Sequence, residues 1–170
     1  NLSINNNAGD FTDATNTALN LVWTTENSQF CKLKKNAAVI SEETQGSILQ
    51  NLDQTQKFEL TCVNKDDITA EKVIVVKAAK ATLFLNDSAA NVMVDLDTPV
   101  KVSWQSENTT CQAQRGSTIL GQTSPVSTVA DNNTDIDLTC NYNATDRRTI
   151  RINPPQVDLK VNGGNGPVTI

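Results

Sequence analysis

The chain carries one short pattern twice, about eighty residues apart. The copies occupy residues 23–31 and 104–111, and each has a Trp, two small polar residues, Glu-Asn and, after a short gap, a Cys. A Leu-Thr-Cys triplet follows each copy about thirty residues later, at 60–62 and 138–140. A fixed-period repeat indicates repeated structural units. We therefore expect two small domains and a tail, although 170 residues would fit one domain by length alone.

The repeat places the domain boundaries at 1–79 and 80–155, with 156–170 as the tail. A domain of about 80 residues buries too little apolar surface to be very stable without cross-links. The four cysteines, one pair per repeat, are candidates for such cross-links. Paired cysteines at repeated positions favour an oxidising compartment. No apolar run is long enough for a transmembrane span. These residues contain no signal-peptide pattern, so if the protein is secreted we expect this chain to be its mature form.

Alternating apolar and polar residues predict half-buried strands in both repeats. Leu19, Leu21 and Trp23 face one way in the first, and Val100, Val102 and Trp104 do so in the second. We expect both Trp side chains in the domain cores rather than on a sugar-binding surface. The segments around Leu60 and Leu138 match each other and place two further core residues on strands that carry a Cys.

Each repeat has about seven short strands, and that number and spacing is typical of a β-sandwich. Helical alternatives are weak, and the segment from Asn36 to Thr44 has room for one turn. The connection at 77–82 contains neither Gly nor Pro, so we expect the last strand of one unit to run almost directly into the next. Two prolines at 153–156 favour an extended, semi-rigid spacer after the second unit.

The tail resembles the opening of a third repeat. Its Leu-Lys-Val-Asn at 159–162 matches 2–5 and 83–86, and 167–170 corresponds to 91–94. Three interpretations remain open: the start of a longer tandem array, a donor strand that completes a neighbouring subunit's sheet, or a frayed end. The residues of a possible inter-subunit strand alternate on one face, and they are Val157, Leu159, Val161, Val168 and Ile170.

The Trp, Asn, Cys and Leu-Thr-Cys pattern, with the 157–163 opening, resembles the tandem Ig-like repeats of bacterial secreted and surface proteins. The resemblance covers nearly the whole chain and implies all-β Ig-like sandwiches with one disulfide each. Antibody domains have the order Cys, Trp, Cys and a bridge between sheets. Here the Trp comes first, so the resemblance implies disulfides within one sheet, Cys31–Cys62 and Cys111–Cys140. Each would contribute roughly 3–4 kcal/mol in the chain-entropy model.

Composition argues against several functions. Histidine is absent, which removes His-based acid–base catalysis, Ser-His and Cys-His nucleophile pairs and His-ligated metals. No nucleophile motif is present either, so we expect no enzyme and no cofactor. The cysteines lack Cys-x-x-Cys spacing, which favours disulfides over a metal site. Pairs of aspartates in predicted loops indicate solvated turns rather than calcium-binding loops. A net charge of −5 argues against nucleic acid and anionic membranes as partners.

Sequons of the form Asn-x-Ser/Thr provide a hypothesis of glycosylation. Besides one at Asn1, they lie in predicted turns and loops of the second unit, at Asn86, Asn108, Asn132 and Asn143.

The sequence thus predicts a non-enzymatic structural module of an extracellular fibre, pilus-like filament or surface stalk. Its partners would be head-to-tail copies of itself or neighbouring Ig-like repeats of the same polypeptide. The alternative is an adhesin or carbohydrate-binding accessory module of a larger secreted protein. Aromatic residues make up only 4% of the chain, which supplies a glycan-binding platform poorly.

Overall fold

A computed structural model describes residues 1–155 and the pairs 160–161 and 164–165. In this part of the chain, regular structure consists of β-strands and a one-turn 3-10 helix at Asn141–Asn143. No helix in these residues is long and apolar enough to cross a membrane. The strands build two successive sandwiches, which we call domain 1 and domain 2.

Domain 1 places a three-stranded sheet against a larger one. Its strands, in chain order, are β1 (Leu2–Ile4), β2 (Phe11–Ala14), β3 (Ala18–Trp23), β4 (Phe30–Lys35), β5 (Ala38–Ser41), β6 (Gly46–Asn51), β7 (Gln56–Val63) and the long β8 (Thr69–Leu85). One sheet has the order β1-β3-β6, and the other has the order β5-β4-β7-β8, with β2 added parallel to β8.

Domain 2 repeats this plan and begins with the second half of β8. Its other strands are β9 (Val92–Val94), β10 (Thr98–Glu107), β11 (Cys111–Arg115), β12 (Thr118–Gly121), β13 (Val126–Ala130), β14 (Thr134–Cys140) and β15 (Thr145–Ile152). Strand β10 lies between β8 and β13 in one sheet, and the other sheet has the order β12-β11-β14-β15-β9. Each domain thus has the two-sheet topology of an Ig-like β-sandwich, which confirms the predicted fold class.

The predicted alternation builds both cores. Strand β3 alternates exposed and buried residues along its whole length, and β7 buries Phe58, Leu60 and Cys62 on one face. Trp23 is 3% exposed, whereas Trp104 is only partly buried and packs against the edge of its core. Leu138 is buried in domain 2 as Leu60 is in domain 1. The core of domain 1 extends to Ala78, and that of domain 2 begins at Ala79.

Both disulfides lie within a sheet, as the resemblance implied. Cys31 on β4 stands directly opposite Cys62 on β7, with a Cα–Cα distance of 4.1 Å. Cys111 on β11 stands opposite Cys140 on β14, with 4.0 Å between the Cα atoms. Each domain therefore has one bridge, between the strand after the Trp strand and the strand of the Leu-Thr-Cys triplet.

Residues 36–44, which had room for one helical turn, form a tight turn and a strand instead. Asn36 and Ala37 have positive φ angles of 46° and 74°, and they reverse the chain into β5, which pairs with β4. Gly116, with φ of 57°, precedes β12 in the same way in domain 2. These short edge strands raise the count above the expected seven per unit.

The tail is described only in part. The backbone of β16 (Lys160–Val161) pairs with that of β17 (Gly164–Asn165), and Val161 is opposite Gly164. Ile4 and Leu85 make the same pairing with the third residue beyond them, Asn7 and Ser88. The other residues predicted for an inter-subunit strand, Val157, Leu159, Val168 and Ile170, lie outside the described residues.

Candidate functional site: the joint between the domains

One strand belongs to both domains. The first half of β8 pairs with β7, from Val63 opposite Thr69 to Gln56 opposite Val76. Its second half pairs with β10, from Lys80 opposite Glu107 to Leu85 opposite Val102. The sequence permits this because 69–85 contains neither Gly nor Pro, and β-branched residues favour extended backbone. The predicted direct connection between the units is confirmed.

Two alanines occupy the centre of the joint. Ala78 is 1% exposed and Ala79 is 0% exposed, so each side chain is enclosed where one core ends and the next begins. The backbone of Ala78 binds both domains: its N–H donates to Thr55 Oγ1 of domain 1 at 3.2 Å, and its carbonyl accepts from Asn108 Nδ2 of domain 2 at 3.0 Å. The carbonyl of Ala79 accepts from the N–H of Thr15 at 3.2 Å. The polar groups of the joint are therefore satisfied by both domains.

A second line of contact runs beside β8. Strand β2 of domain 1 pairs in parallel with residues 76–79 of β8, and its Cα atoms lie within 8 Å of the 3-10 turn Asn141–Asn143 of domain 2. That turn is fastened to the Asn108 loop, because Thr109 Oγ1 donates to Asn141 O at 2.9 Å and Asn141 Nδ2 donates to Thr110 Oγ1 at 2.8 Å. Two loops of domain 2 thus meet domain 1 as one braced unit.

Asp146 fixes the path of β8 into domain 2. Its Oδ2 accepts from the backbone N–H of Leu83 at 2.9 Å, and its Oδ1 pairs with the guanidinium of Arg148. The Arg148 Nε donates to Ala89 O at 2.7 Å. The carboxylate is only 17% exposed, so this contact ties β15 to β8 in a partly shielded setting.

Charged side chains cover the outer face of the larger sheet. Glu59 lies between Lys57 and Lys34, and hydrogen bonds from Lys57 first, then Lys34, hold the pKa of Glu59 below its usual range. The same partner raises the pKa of Lys57. In domain 2, Arg147 pairs with Asp137 and Asp135, and Asp137 raises the pKa of the guanidinium further. These ion pairs lie at the sheet surface, where such pairs contribute little to stability.

Two open hollows of the described surface lie at domain ends. One of about 600 Å³ at the far end of domain 2 is lined by Asp95, Leu96, Ile152, Asn153, Pro154 and Pro155. Another, of about 530 Å³, lies between the 27–29 and 64–66 loops at the opposite end of domain 1. Residues 1–155 contain no group of three His, Cys, Asp or Glu side chains suited to a metal ion.

The four predicted glycosylation sites occupy exposed turns or loops, but their side chains differ in use. Asn86 Oδ1 accepts from the N–H of Lys101, and Asn132 Oδ1 accepts from Arg115. Asn143 stands at the end of the 3-10 turn with a positive φ of 58°. Asn108 differs because its Nδ2, the atom that would carry a glycan, makes the bond across the joint.

Sequence reasoning missed the role of Asn108 at the joint, and it also missed Ala78, Ala79 and Asp146. The Glu-Asn that follows each Trp was a signal for Asn108. Its counterpart in domain 1 is Asn27, and both residues adopt a positive φ of 55°. The alanines carried no recognisable signal, because only the packing of two domains makes small side chains necessary there.

Comparisons with known proteins give distant structural likenesses and no family. No family model matches the sequence, and no curated protein matches it. Solved structures of tandem domains do align with it. The D1-D2 fragment of Rst has 6% identity over 90% of this chain and 100% of that chain, with a TM-score of 0.48. Murine CEACAM1b has 11% identity over 90% of this chain and 99% of that chain, with a TM-score of 0.39.

The N-terminal four Ig domains of Dscam1 isoform 6.9 also align, with 7% identity over 89% of this chain and a TM-score of 0.44. The chain spans 46% of that protein's described length. The class, two tandem Ig-like β-sandwiches with one disulfide each, rests on the strand order and disulfides described above.

Proposed function

We propose that the chain is a non-enzymatic structural module of a secreted or surface protein, in which two Ig-like units are held in a fixed relation by their joint. The supporting observation is the strand β8 shared by both domains, together with the bond from Asn108 to Ala78. Bending the shared strand would break ladder hydrogen bonds on it. Such a joint therefore holds the two domains in a fixed relative orientation.

The disulfides support an extracellular location, because such bridges persist in oxidising compartments. We place the domain boundary between residues 79 and 80, next to the residue where the second core begins. The aromatic side chains with the largest exposure, Phe30 and Tyr142 at 43% and 49%, lie on different domains. They therefore give the sugar-binding alternative little support.

The tail would begin a third Ig-like unit of the same polypeptide. The pairing of Val161 with Gly164 supports this, because it repeats the pairing that follows the opening strand of each described domain. Head-to-tail assembly of copies by strand donation from residues 156–170 is the alternative role. Deleting residues 156–170 would abolish filaments if the tail donates a strand, and filaments that persist after the deletion contradict strand donation.

The test of the proposed function is a distance measurement across the joint. Paired spin labels at the exposed positions Val39 in domain 1 and Ile119 in domain 2, on chains diluted with unlabelled protein, should give a narrow distance distribution. Inserting Gly-Gly-Ser between Ala79 and Lys80 should broaden it. The same insertion after Asp67, in the exposed β7–β8 turn, is the control and should leave it narrow. An unmodified chain as broad as the joint insertion would disprove the rigid joint.

A further inference from the structure

Strand β6 is a sheet edge that no second strand covers in residues 1–155. It lies at the end of the β1-β3-β6 sheet and has six residues, whereas β1 at the opposite edge has three. Residues 44–52 around it read Thr-Gln-Gly-Ser-Ile-Leu-Gln-Asn-Leu, without a charge or a proline. Natural sheets protect their edges with short strands, charged side chains, prolines or covering segments. This edge has none of these on its own strand.

The free backbone groups of this edge can be identified. Leu52 donates to Thr17 O at 3.0 Å and accepts from Asn16 N at 2.6 Å, so its N–H and C=O point toward β3. Successive residues of a strand direct these groups to opposite sides. With the regular β3–β6 register, Gln50 and Ile48 also point toward β3, and Ser47 and Leu49 point away. No strand in residues 1–155 pairs with β6 on its outer side, so the N–H and C=O of Ser47 and Leu49 have no strand partner there.

In domain 2, an arginine side chain binds the corresponding edge strand. There, Arg115 donates to Thr128 Oγ1 and, at 2.8 Å, to the carbonyl of Val129 on the edge strand β13, and it pairs with Asp131. In domain 1 the residue at the same place, four after the first Cys of the disulfide, is Lys35. Its Nζ reaches only the side chain of Gln50, at 3.2 Å, and leaves the β6 backbone free.

The outer face beside this edge is uncharged. Its side chains on β1, β3 and β6 are Ser3, Ala18, Asn20, Val22, Ser47, Leu49 and Asn51. Leu49 is 70% exposed and Val22 is 38% exposed. A neutral sheet face with an exposed leucine at its edge suits pairing with another β-strand better than it suits contact with water.

We propose that β6 binds β6 of a second copy of this chain and forms a two-fold symmetric dimer. An antiparallel pair centred on Ile48 places Ser47 opposite Leu49 of the copy, twice, so the N–H and C=O groups of Ser47 and Leu49 are all used in each copy. The two Leu49 side chains then lie diagonally across the two-fold axis, within reach of each other. Such a self-complementary contact is closed and joins chains side by side. It is independent of the proposed joint rigidity.

The same register predicts how salt affects the dimer. Glu43 and Asp53, beyond the two ends of β6, would stand near Asp53 and Glu43 of the copy. A hydrogen bond from Gln56 lowers the pKa of Asp53, and both carboxylates carry charge at neutral pH. Salt screens such exposed like charges, so dimerisation should strengthen as salt is added.

The test is sedimentation equilibrium of the whole chain from about 10 µM to about 1 mM, a range that detects weak dimers. The chain should dimerise, and Leu49→Lys should weaken dimerisation by about 100-fold, because a two-fold contact brings two lysines together. Val39→Lys, on the edge strand β5 of the other sheet and 48% exposed, is the matched control and should not change it. Both sites are exposed, so both variants should fold.

Hydrogen exchange gives a second readout. The amides of Ser47 and Leu49 should become protected as concentration rises, while the amide of Val39 should not. A chain that stays monomeric at 1 mM, or a dimer that Leu49→Lys leaves intact, overturns the proposal. So does a dimer that Val39→Lys disrupts. None of these results would alter the distance distribution across the joint, which tests the proposed function separately.

Discussion

The two repeats follow one strand plan but end differently. The closing strand of domain 1 passes through Ala78 and Ala79 into domain 2, whereas that of domain 2 ends at Ile152, ahead of Pro154-Pro155. Beside the joint, every residue of β2 is half-buried. At the corresponding place in domain 2, Met93 and Leu96 are 60% and 59% exposed. A joint of this kind therefore requires small side chains and backbone able to continue a strand.

The two Trp residues differ in the same manner. Strand β6 extends to Gly46, opposite Trp23, and a Cβ on that glycine would lie 2.9 Å from the indole ring. The indole Nε1 donates to Glu43 O at 3.0 Å. Strand β13 begins only at Val126, opposite Val102, so no residue of β13 lies opposite Trp104. One sequence pattern thus gives a fully buried Trp and a half-buried one.

The largest expected effect comes from removing these rings. Trp23→Ala should lower the free energy of unfolding of domain 1 by roughly 3–5 kcal/mol, because a buried ring and its hydrogen bond are lost. Trp104→Ala should cost domain 2 clearly less. Calorimetry of the two transitions measures both values, and equal losses would contradict the difference in burial.

Removing the disulfides should affect the domains equally. Their loops span 31 and 29 residues. Replacing either cysteine pair by alanines should therefore cost roughly 3–4 kcal/mol in its own domain, according to the chain-entropy model. Denaturant unfolding of each variant gives the two losses. A difference above about 1 kcal/mol would mean that residual denatured-state structure, rather than loop length, decides the loss.

Transferring the proline pair tests the joint. Lys80→Pro with Ala81→Pro should cost roughly 1–3 kcal/mol, because one of these neighbouring N–H groups faces β10 and its bond is lost. The distance distribution across the joint should broaden as well. Pro154→Ala with Pro155→Ala is the reciprocal control and should leave the stability of both domains unchanged. An unchanged distance distribution in the first variant would show that the Asn108 loop holds the joint without the strand.

The smallest effect concerns pH. Because the folded state lowers the pKa of Glu59, its stabilisation is complete above the usual carboxyl range and is lost as pH falls through the lowered value. Acidification from pH 6 to about pH 3 should therefore lower the melting temperature of domain 1 less in Glu59→Gln than in the unchanged chain. Thermal scans at both pH values measure this. Identical pH dependence in the two proteins would show that Glu59 does not contribute to the pH dependence of stability.

Several features of the fold could be read from the sequence, because they depend on local pattern. The alternation at 19–23 and 100–104 predicted two strands with the correct faces, and the repeated Trp and Cys positions led to the sandwich class. The short edge strand β5 was missed. Its direction depends on the positive φ of Asn36 and Ala37, which no alternation pattern reveals.

The sequence by itself determined that this protein has two like domains, which face of each main strand is buried, and that the connection between them can remain a strand. Periodicity and the absence of Gly and Pro are sufficient for these conclusions, since they act on the backbone locally. Only the tertiary structure decided that Asn108 binds Ala78, that Arg115 binds the backbone of β13 and that β6 has one strand neighbour among the described residues. These contacts join residues 13 to 30 positions apart or expose groups that distant strands fail to cover, so they follow from packing alone.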